Sequence, residues 1–149
     1  MRPDGSSAAP TWFNLGDNDL ATHFYRTSRL AEGASLADVT DEIRRAFALD
    51  MRIVPMSNDP VTTMVHLAAD DSIVSFQEYF VKLRHDVAVK GIELRGIESA
   101  AFIDPSLITD ADVVVIAPSN PIVSIGPIRA IGGVDTLLSA RRESVVGIS

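Results

Sequence analysis

The densest group of chemically able residues is Ala117-Pro118-Ser119-Asn120-Pro121-Ile122-Val123-Ser124-Ile125-Gly126-Pro127. It begins where a continuous apolar run, Val113-Val114-Val115-Ile116-Ala117, ends. In open α/β sheets, ligands bind beyond the carboxyl ends of the strands. Asn120 before Pro121 suits a helix N-cap followed by a first-turn proline, and Ser124 before Gly126-Pro127 is an alternative start. Either start aims free backbone N–H groups at the ligand crevice, which favours an anion and most often a phosphate. A well-made strand-to-helix connection with no ligand would show the same pattern. The glycine spacing and lysine of a Walker A loop are missing, and so is the Gly-x-Gly-x-x-Gly dinucleotide fingerprint.

A second group is Gly16-Asp17-Asn18-Asp19-Leu20-Ala21-Thr22-His23. Asp17 and Asp19 could hold a magnesium ion or accept a hydrogen bond from a sugar or ring, or they could only cap a helix and suit its dipole. His23 is four residues past Asp19, on the same helical face, where a carboxylate could orient it. A third group, Met56-Ser57-Asn58-Asp59-Pro60, is a polar turn in which Asp59 before Pro60 is ordinary turn chemistry. In a fourth, Phe76-Gln77-Glu78-Tyr79-Phe80, an acid and an amide beside aromatics could line a ring pocket, although aromatics at helical spacing usually form core. The histidines His23, His66 and His85 have no metal-ligand spacing. No Ser/His/Asp triad or Gly-x-Ser-x-Gly elbow is present.

The elements that must position these groups can be read from apolar period. Leu20, Phe24, Thr27 and Leu30-Ala31 trace one face of an amphipathic helix that Glu32-Gly33 ends. Leu36, Val39, Ile43 and Phe47 make a second helix, started by Ser35 with Asp38 three residues on, a variant of the capping box. Together they predict a helical hairpin over about 17–48. Met51 to Pro55 reads as a strand. Val61 to Leu67 and Ser72 to Phe76 read as a β-hairpin around Ala68-Ala69-Asp70-Asp71. Gln77 to Arg84 suits helix or strand, Ile92 to Ile97 suits a strand, and Pro105 to Ala111 a short helix. Val113 to Ala117 and Val145 to Ile148 read as strands buried on both faces. With helices over about 122–130 and 134–141 between them, they predict a βαβ unit on a parallel sheet over about 112–149.

Composition bounds the function classes. The 149 residues are one ordinary domain in length, with 46% apolar and 22% charged residues. Thirteen Lys+Arg against 20 Asp+Glu give a formal charge of −7, which argues against nucleic acid as a partner. A small phosphorylated ligand needs only a local donor cluster and stays open. The absence of cysteine excludes disulfides, thiolate zinc sites and thiol nucleophiles. The most apolar stretch, Val113 to Ala117, is far short of the roughly 20 residues of a membrane helix. The first residues, Met1 to Pro10, lack the apolar core of a secretory signal, so residues 1–9 are expected to be a flexible lead-in and the protein cytoplasmic.

Four of these segments, in order, resemble the 2-phospho-L-lactate transferase family (CofD/FbiA). They are Pro10-Thr11-Trp12-Phe13-Asn14-Leu15-Gly16-Asp17-Asn18-Asp19-Leu20-Ala21-Thr22-His23, Met56 to Pro60, Phe76 to Val81, and Ala117 to Pro127. The likeness runs from Pro10 to Ser149. It implies a Rossmann-like α/β fold, a mostly parallel sheet with an inserted helical hairpin. It also implies a transferase of deazaflavin coenzyme F-420 biosynthesis. The family moves a phospholactyl or phosphoenolpyruvyl group from a guanosine diphosphate conjugate to the deazaflavin Fo, releasing GMP with the help of Mg2+. With the resemblance, Asp17 and Asp19 are expected to be catalytic, facing the acceptor or the ion. The resemblance places Ser119, Asn120, Pro121, Ser124 and Gly126, with His23 and Asp59, at the substrates. A homodimer is compatible with it. The family's glycine-rich opening turn, its Asn-Thr-Gly-Asp-Asp-type segment and its later lysine-containing loop have no match here. The domain over 10–149 is therefore expected to lack its first strand and C-terminal part, to leave an apolar face or edge open, and to have little activity alone. A non-catalytic module binding guanine nucleotide or deazaflavin, and a non-enzymatic α/β domain, are the alternatives.

Overall fold

The computed structural model describes residues 15–148, so the expected lead-in and the residues Pro10 to Asn14 lie outside it. The chain divides into two compact units. One joins the residues up to Ser28 with Met64–Glu93, and the other joins Arg29–Thr63 with Leu94–Ser149. Among the described residues, no helix is long and apolar enough to cross a membrane.

In the first unit, helix α1 (Asp17–Ala31, its last residues crossing into the second unit) starts one residue earlier than a cap at Asp17 would require. The Leu20 N–H donates to the Gly16 carbonyl at 2.9 Å, so Gly16 stands at the N-cap and Asp17, Asn18 and Asp19 fill the first turn. The carboxylates there complement the helix dipole. The expected hairpin forms: β1 (Thr62–Leu67) pairs antiparallel with β2 (Ile73–Ser75), Val65 opposite Val74. Its turn uses Asp71 at φ 55°, while the Asp70 carboxylate accepts the Ser72 N–H at 3.1 Å. Val65 and Leu67 alternate inward and are buried. The ambiguous stretch after β2 is helical, a π-type turn over Glu78–Lys82 that closes with the Leu83 N–H on the Glu78 carbonyl. β3 (Val89–Arg95) flanks β1 on its other edge, starting three residues before the expected strand.

In the second unit, α2 (Leu36–Ala46) carries the complete capping box. The Asp38 N–H donates to Ser35 Oγ at 3.1 Å, and the Ser35 N–H donates to the Asp38 carboxylate at 3.3 Å. Val39, on the predicted stripe, is fully buried. Met51 to Pro55 forms no strand. Met51 is exposed, and beyond this stretch the Ile103 N–H reaches the Met56 carbonyl. Among the described residues the short apolar run has no ladder partner, and a strand needs one.

The predicted βαβ unit is present. β4 (Val114–Ile116) and β5 (Val145–Gly147) pair in parallel, Val115 beside Val146. Between them run a π-type turn (Pro121–Ile125), α4 (Gly126–Ala130) and α5 (Val134–Ala140). The short helix α3 (Ser106–Thr109) precedes β4, and the Arg141 guanidinium holds its last turn through the carbonyls of Ile108 and Thr109. Ala100, Ile108, Ile131 and Val134 form the core, with Val114 and Leu138 packed on it. Burial of the strands on both faces does not hold. Val113 and Val115 are each 56% exposed, Val146 50% and Ile148 52%. One face of the pair packs on the core, and the other carries exposed apolar side chains.

Candidate functional site

At the carboxyl end of β4 the chain turns sharply. Asn120 is extended (φ −64°, ψ 122°), and its Oδ1 accepts the N–H groups of Ile122 at 2.9 Å and Val123 at 3.0 Å. Its carbonyl accepts the N–H groups of Ser124 at 3.1 Å and Ile125 at 3.0 Å. Pro121 occupies the first position of the turn and has no N–H to satisfy. The Asn-Pro start is thus realised, and Ser124 lies inside the turn rather than starting it. The backbone amides expected to face an anion are bonded to Asn120. The free donors here are of another kind: the Asn120 Nδ2 group and the serine hydroxyls. Gly126 allows the tight winding, because a Cβ there would lie 3.0 Å from the Pro121 carbonyl oxygen.

Next to this turn is a cavity of about 410 Å³, walled by Val114 to Ala117 and by residues of α3, α4 and α5. Ser119 and Ser124 line it among mostly apolar side chains. Apolar walls with a few polar groups are the usual make-up of a small-molecule site. Arg129 also lines it and carries the positive charge that the sequence reading missed. Its guanidinium donates to both carboxylate oxygens of Asp135 at 2.6 and 3.0 Å. That hydrogen-bonded pair holds the Asp135 carboxyl below its ordinary pKa and raises that of Arg129. The available signal was its place three residues after Gly126, the sole basic residue between β4 and Arg141.

Asp59 has a structural engagement. Its carboxylate accepts the Ser57 hydroxyl at 3.2 Å and the Ala101 N–H at 3.0 Å, and it is not among the residues lining the cavity. Its neighbour Asn58 accepts the Ala37 N–H at 2.9 Å, a second cap on the start of α2. The Met56–Pro60 turn therefore ties the start of α2 to the segment at Ala101, and Met56 and Phe102 line the cavity.

In the first unit, Asp17, Asp19 and His23 all lie on α1 and are exposed. Residues two apart on a helix do not face each other, so Asp17 and Asp19 diverge, whereas Asp19 and His23 share a face. Among the described residues, no group of three or more His, Asp or Glu is arranged to hold a metal ion. Asp17 and Asp19 alone do not fit a magnesium cage.

Residues 4–149 match the family described as 2-phospho-L-lactate transferase CofD. A phosphoenolpyruvate transferase of Streptomyces griseus is 42% identical over 144 residues, covering 94% of this chain and 45% of the relative. A 2-phospho-L-lactate transferase of Haloarcula marismortui is 38% identical, covering 96% of this chain and 42% of the relative. The chain thus spans less than half the length of these curated relatives. Two solved structures of one Bacillus halodurans protein, described in one case as a member of the UPF0052 family, share the fold with TM-scores of 0.59 and 0.61. They are 17% and 18% identical, and cover 77% and 85% of this chain and 37% and 41% of theirs. By the match across nearly its whole length, the chain belongs to the CofD family of 2-phospho-L-lactate transferases.

Proposed function

We propose that this chain contributes the donor side of a transferase in coenzyme F-420 biosynthesis. The group moved is 2-phospholactyl or phosphoenolpyruvyl, carried on a guanosine diphosphate conjugate. The acceptor is the terminal ribityl hydroxyl of 7,8-didemethyl-8-hydroxy-5-deazariboflavin (Fo). The hydroxyl oxygen gives up its proton to solvent and bonds to the phosphorus that bears the lactyl or enolpyruvyl group. The bond from that phosphorus to the bridging oxygen breaks, and GMP departs with the electron pair. Such chemistry asks a protein chiefly to position groups and offset charge.

The observation that carries this reading is the cavity at the end of β4, where Ser119 and Ser124 of the matching motif Ala117 to Pro127 come together with Arg129 just beyond it. The serine hydroxyls and the Asn120 amide donate to the diphosphate, and the Arg129 guanidinium, held by Asp135, forms part of the wall. Pro121 and Gly126 fix the shape of the turn. Asp59 supports the wall from behind, through Ala101. Asp17, Asp19 and His23 serve the acceptor. Magnesium, when bound, supplies positive charge at the phosphates.

The test is turnover in a full-length relative carrying Asn120→Ala or Asp17→Ala at the matching positions. A fall of at least tenfold is expected in each. Unchanged turnover in both would overturn the assignment.

A further inference from the structure

Helix α1 carries a guanidinium that the transferase reading does not use. Arg26 is half-buried, and its Nε is shut off from solvent with no hydrogen-bond partner. Burying a donor without an acceptor is costly, the more so when the group is charged. Folded proteins leave few such groups, and one that persists calls for a reason.

The other half-buried arginines among the described residues are all engaged. Arg29 meets the carboxylates of Glu32 and Glu42. Arg44 meets Asp41, and Arg141 donates to the carbonyls of Ile108 and Thr109. Acid is not scarce, since 20 Asp+Glu face 13 Lys+Arg. Yet none stands one helical turn from Arg26, where the neighbours are Thr22, His23, Arg29 and Leu30. The Thr22 hydroxyl proton goes to the Asn18 carbonyl at 2.9 Å, and the charge of Arg29 is met by its two glutamates. What remains on this face is the Arg26 fork with His23, a second side chain able to donate, one turn before it.

An arginine Nε–H and the Nη–H beside it lie in one plane and point the same way. That fork matches two oxygens of one carboxylate or phosphate. In open water such a fork is already solvated. At Arg26 the Nε is dry, so an oxyanion that reaches it supplies a hydrogen bond that nothing else makes. We propose that the Nε edge of Arg26 is a binding site for the oxyanion of a small ligand, a carboxylate or a phosphate, with His23 beside it on the helix. The site does not rest on the donor-side reading: Arg26 belongs to the first compact unit, and the Ser119–Ser124 cavity to the second.

The 149-residue chain is titrated by calorimetry with inorganic phosphate and with pyruvate, a carboxylate that carries no phosphate, at fixed ionic strength. Wild type is compared with Arg26→Met, which keeps an apolar stem, and with Arg26→Lys, which keeps the charge without the fork. Circular dichroism checks each fold. The series is repeated with Ser119→Ala and Ser124→Ala in place, so that uptake at the cavity does not mask the result. At least one of the two anions should bind in both backgrounds, and its affinity should fall at least fivefold in Arg26→Met and measurably in Arg26→Lys. Binding of phosphate alone assigns the site to phosphate, and of pyruvate alone to carboxylate. Affinity equal to wild type in folded Arg26→Met, or in Arg26→Lys should the methionine variant not fold, overturns the proposal. So does a wild-type chain that binds neither anion, an outcome that leaves the donor-side reading to its own test with GDP.

Discussion

Asn120 uses one side-chain oxygen to satisfy two backbone N–H groups, and this decides how an anion can be held beside it. A phosphate seated here would meet the Ser119 and Ser124 hydroxyls, whereas the Ile122 and Val123 amides are already taken by Asn120. Asn120→Ala should therefore lower stability by about 1 kcal/mol, the usual worth of an N-cap, read as a Tm drop of roughly 2–4 °C. Asp59 behaves differently. Truncation in Asp59→Ala takes the acceptor from the buried Ser57 hydroxyl and leaves the exposed Ala101 N–H to water, so urea unfolding should show a loss of about 1 kcal/mol. Asp59→Asn, which keeps an acceptor oxygen, should lose less. The residue types at these positions were legible in the sequence, but their partners were not. Ala101 is 42 residues from Asp59, and no local pattern records a bond of that span. Arg129 was missed for a related reason, since its value depends on a cavity that only the packing of α4 and α5 against β4 creates.

At the scale of elements, legibility followed how local the cause is. The α2 cap was readable because Ser35 and Asp38 complete it within one turn. Ser35→Ala should remove about 1 kcal/mol of stability, measured by denaturant unfolding, although the Asn58 bond to Ala37 retains part of the cap. The β1–β2 hairpin and the βαβ unit were readable because alternation and apolar runs fix both the strand and its turn. Met51 to Pro55 was not, since its apolar residues resemble a strand and a local run does not record whether a partner lies beside it; none does among the described residues. The chain connection at Gly96 is a further non-local case. Gly96 sits at φ 90°, and a Cβ there would come within 2.5 Å of the Pro60 carbonyl oxygen. Gly96→Ala must move backbone to fit, and should cost well over the roughly 1 kcal/mol typical of a point mutation, read as a fall in soluble yield and Tm.

Across the whole molecule, the acidic balance acts through particular carboxylates. Arg44 hydrogen-bonding to Asp41, Ser72 to Asp70, Ser106 to Asp104 and Arg129 to Asp135 each hold a carboxyl below its ordinary pKa. A depressed folded pKa gives stability that is fully present above the ordinary carboxylate value and is lost as pH falls through the folded one. The urea midpoint should therefore stay level from about pH 5 to 7 and fall below about pH 4, with Asp104→Asn flattening part of that fall. The open face of the β4–β5 sheet is the other feature of this scale. Period analysis read those strands as buried on both sides because a valine run carries no record of which face finds a partner. The central claim is that Ser119 and Ser124 line the seat of a nucleoside diphosphate, and calorimetric titration with GDP in the presence of Mg2+ tests it most directly. The account predicts saturable binding that Ser119→Ala combined with Ser124→Ala weakens at least tenfold, the worth of losing hydrogen bonds to a charged group. Absence of GDP binding, or an affinity that the double variant leaves unchanged, would contradict it.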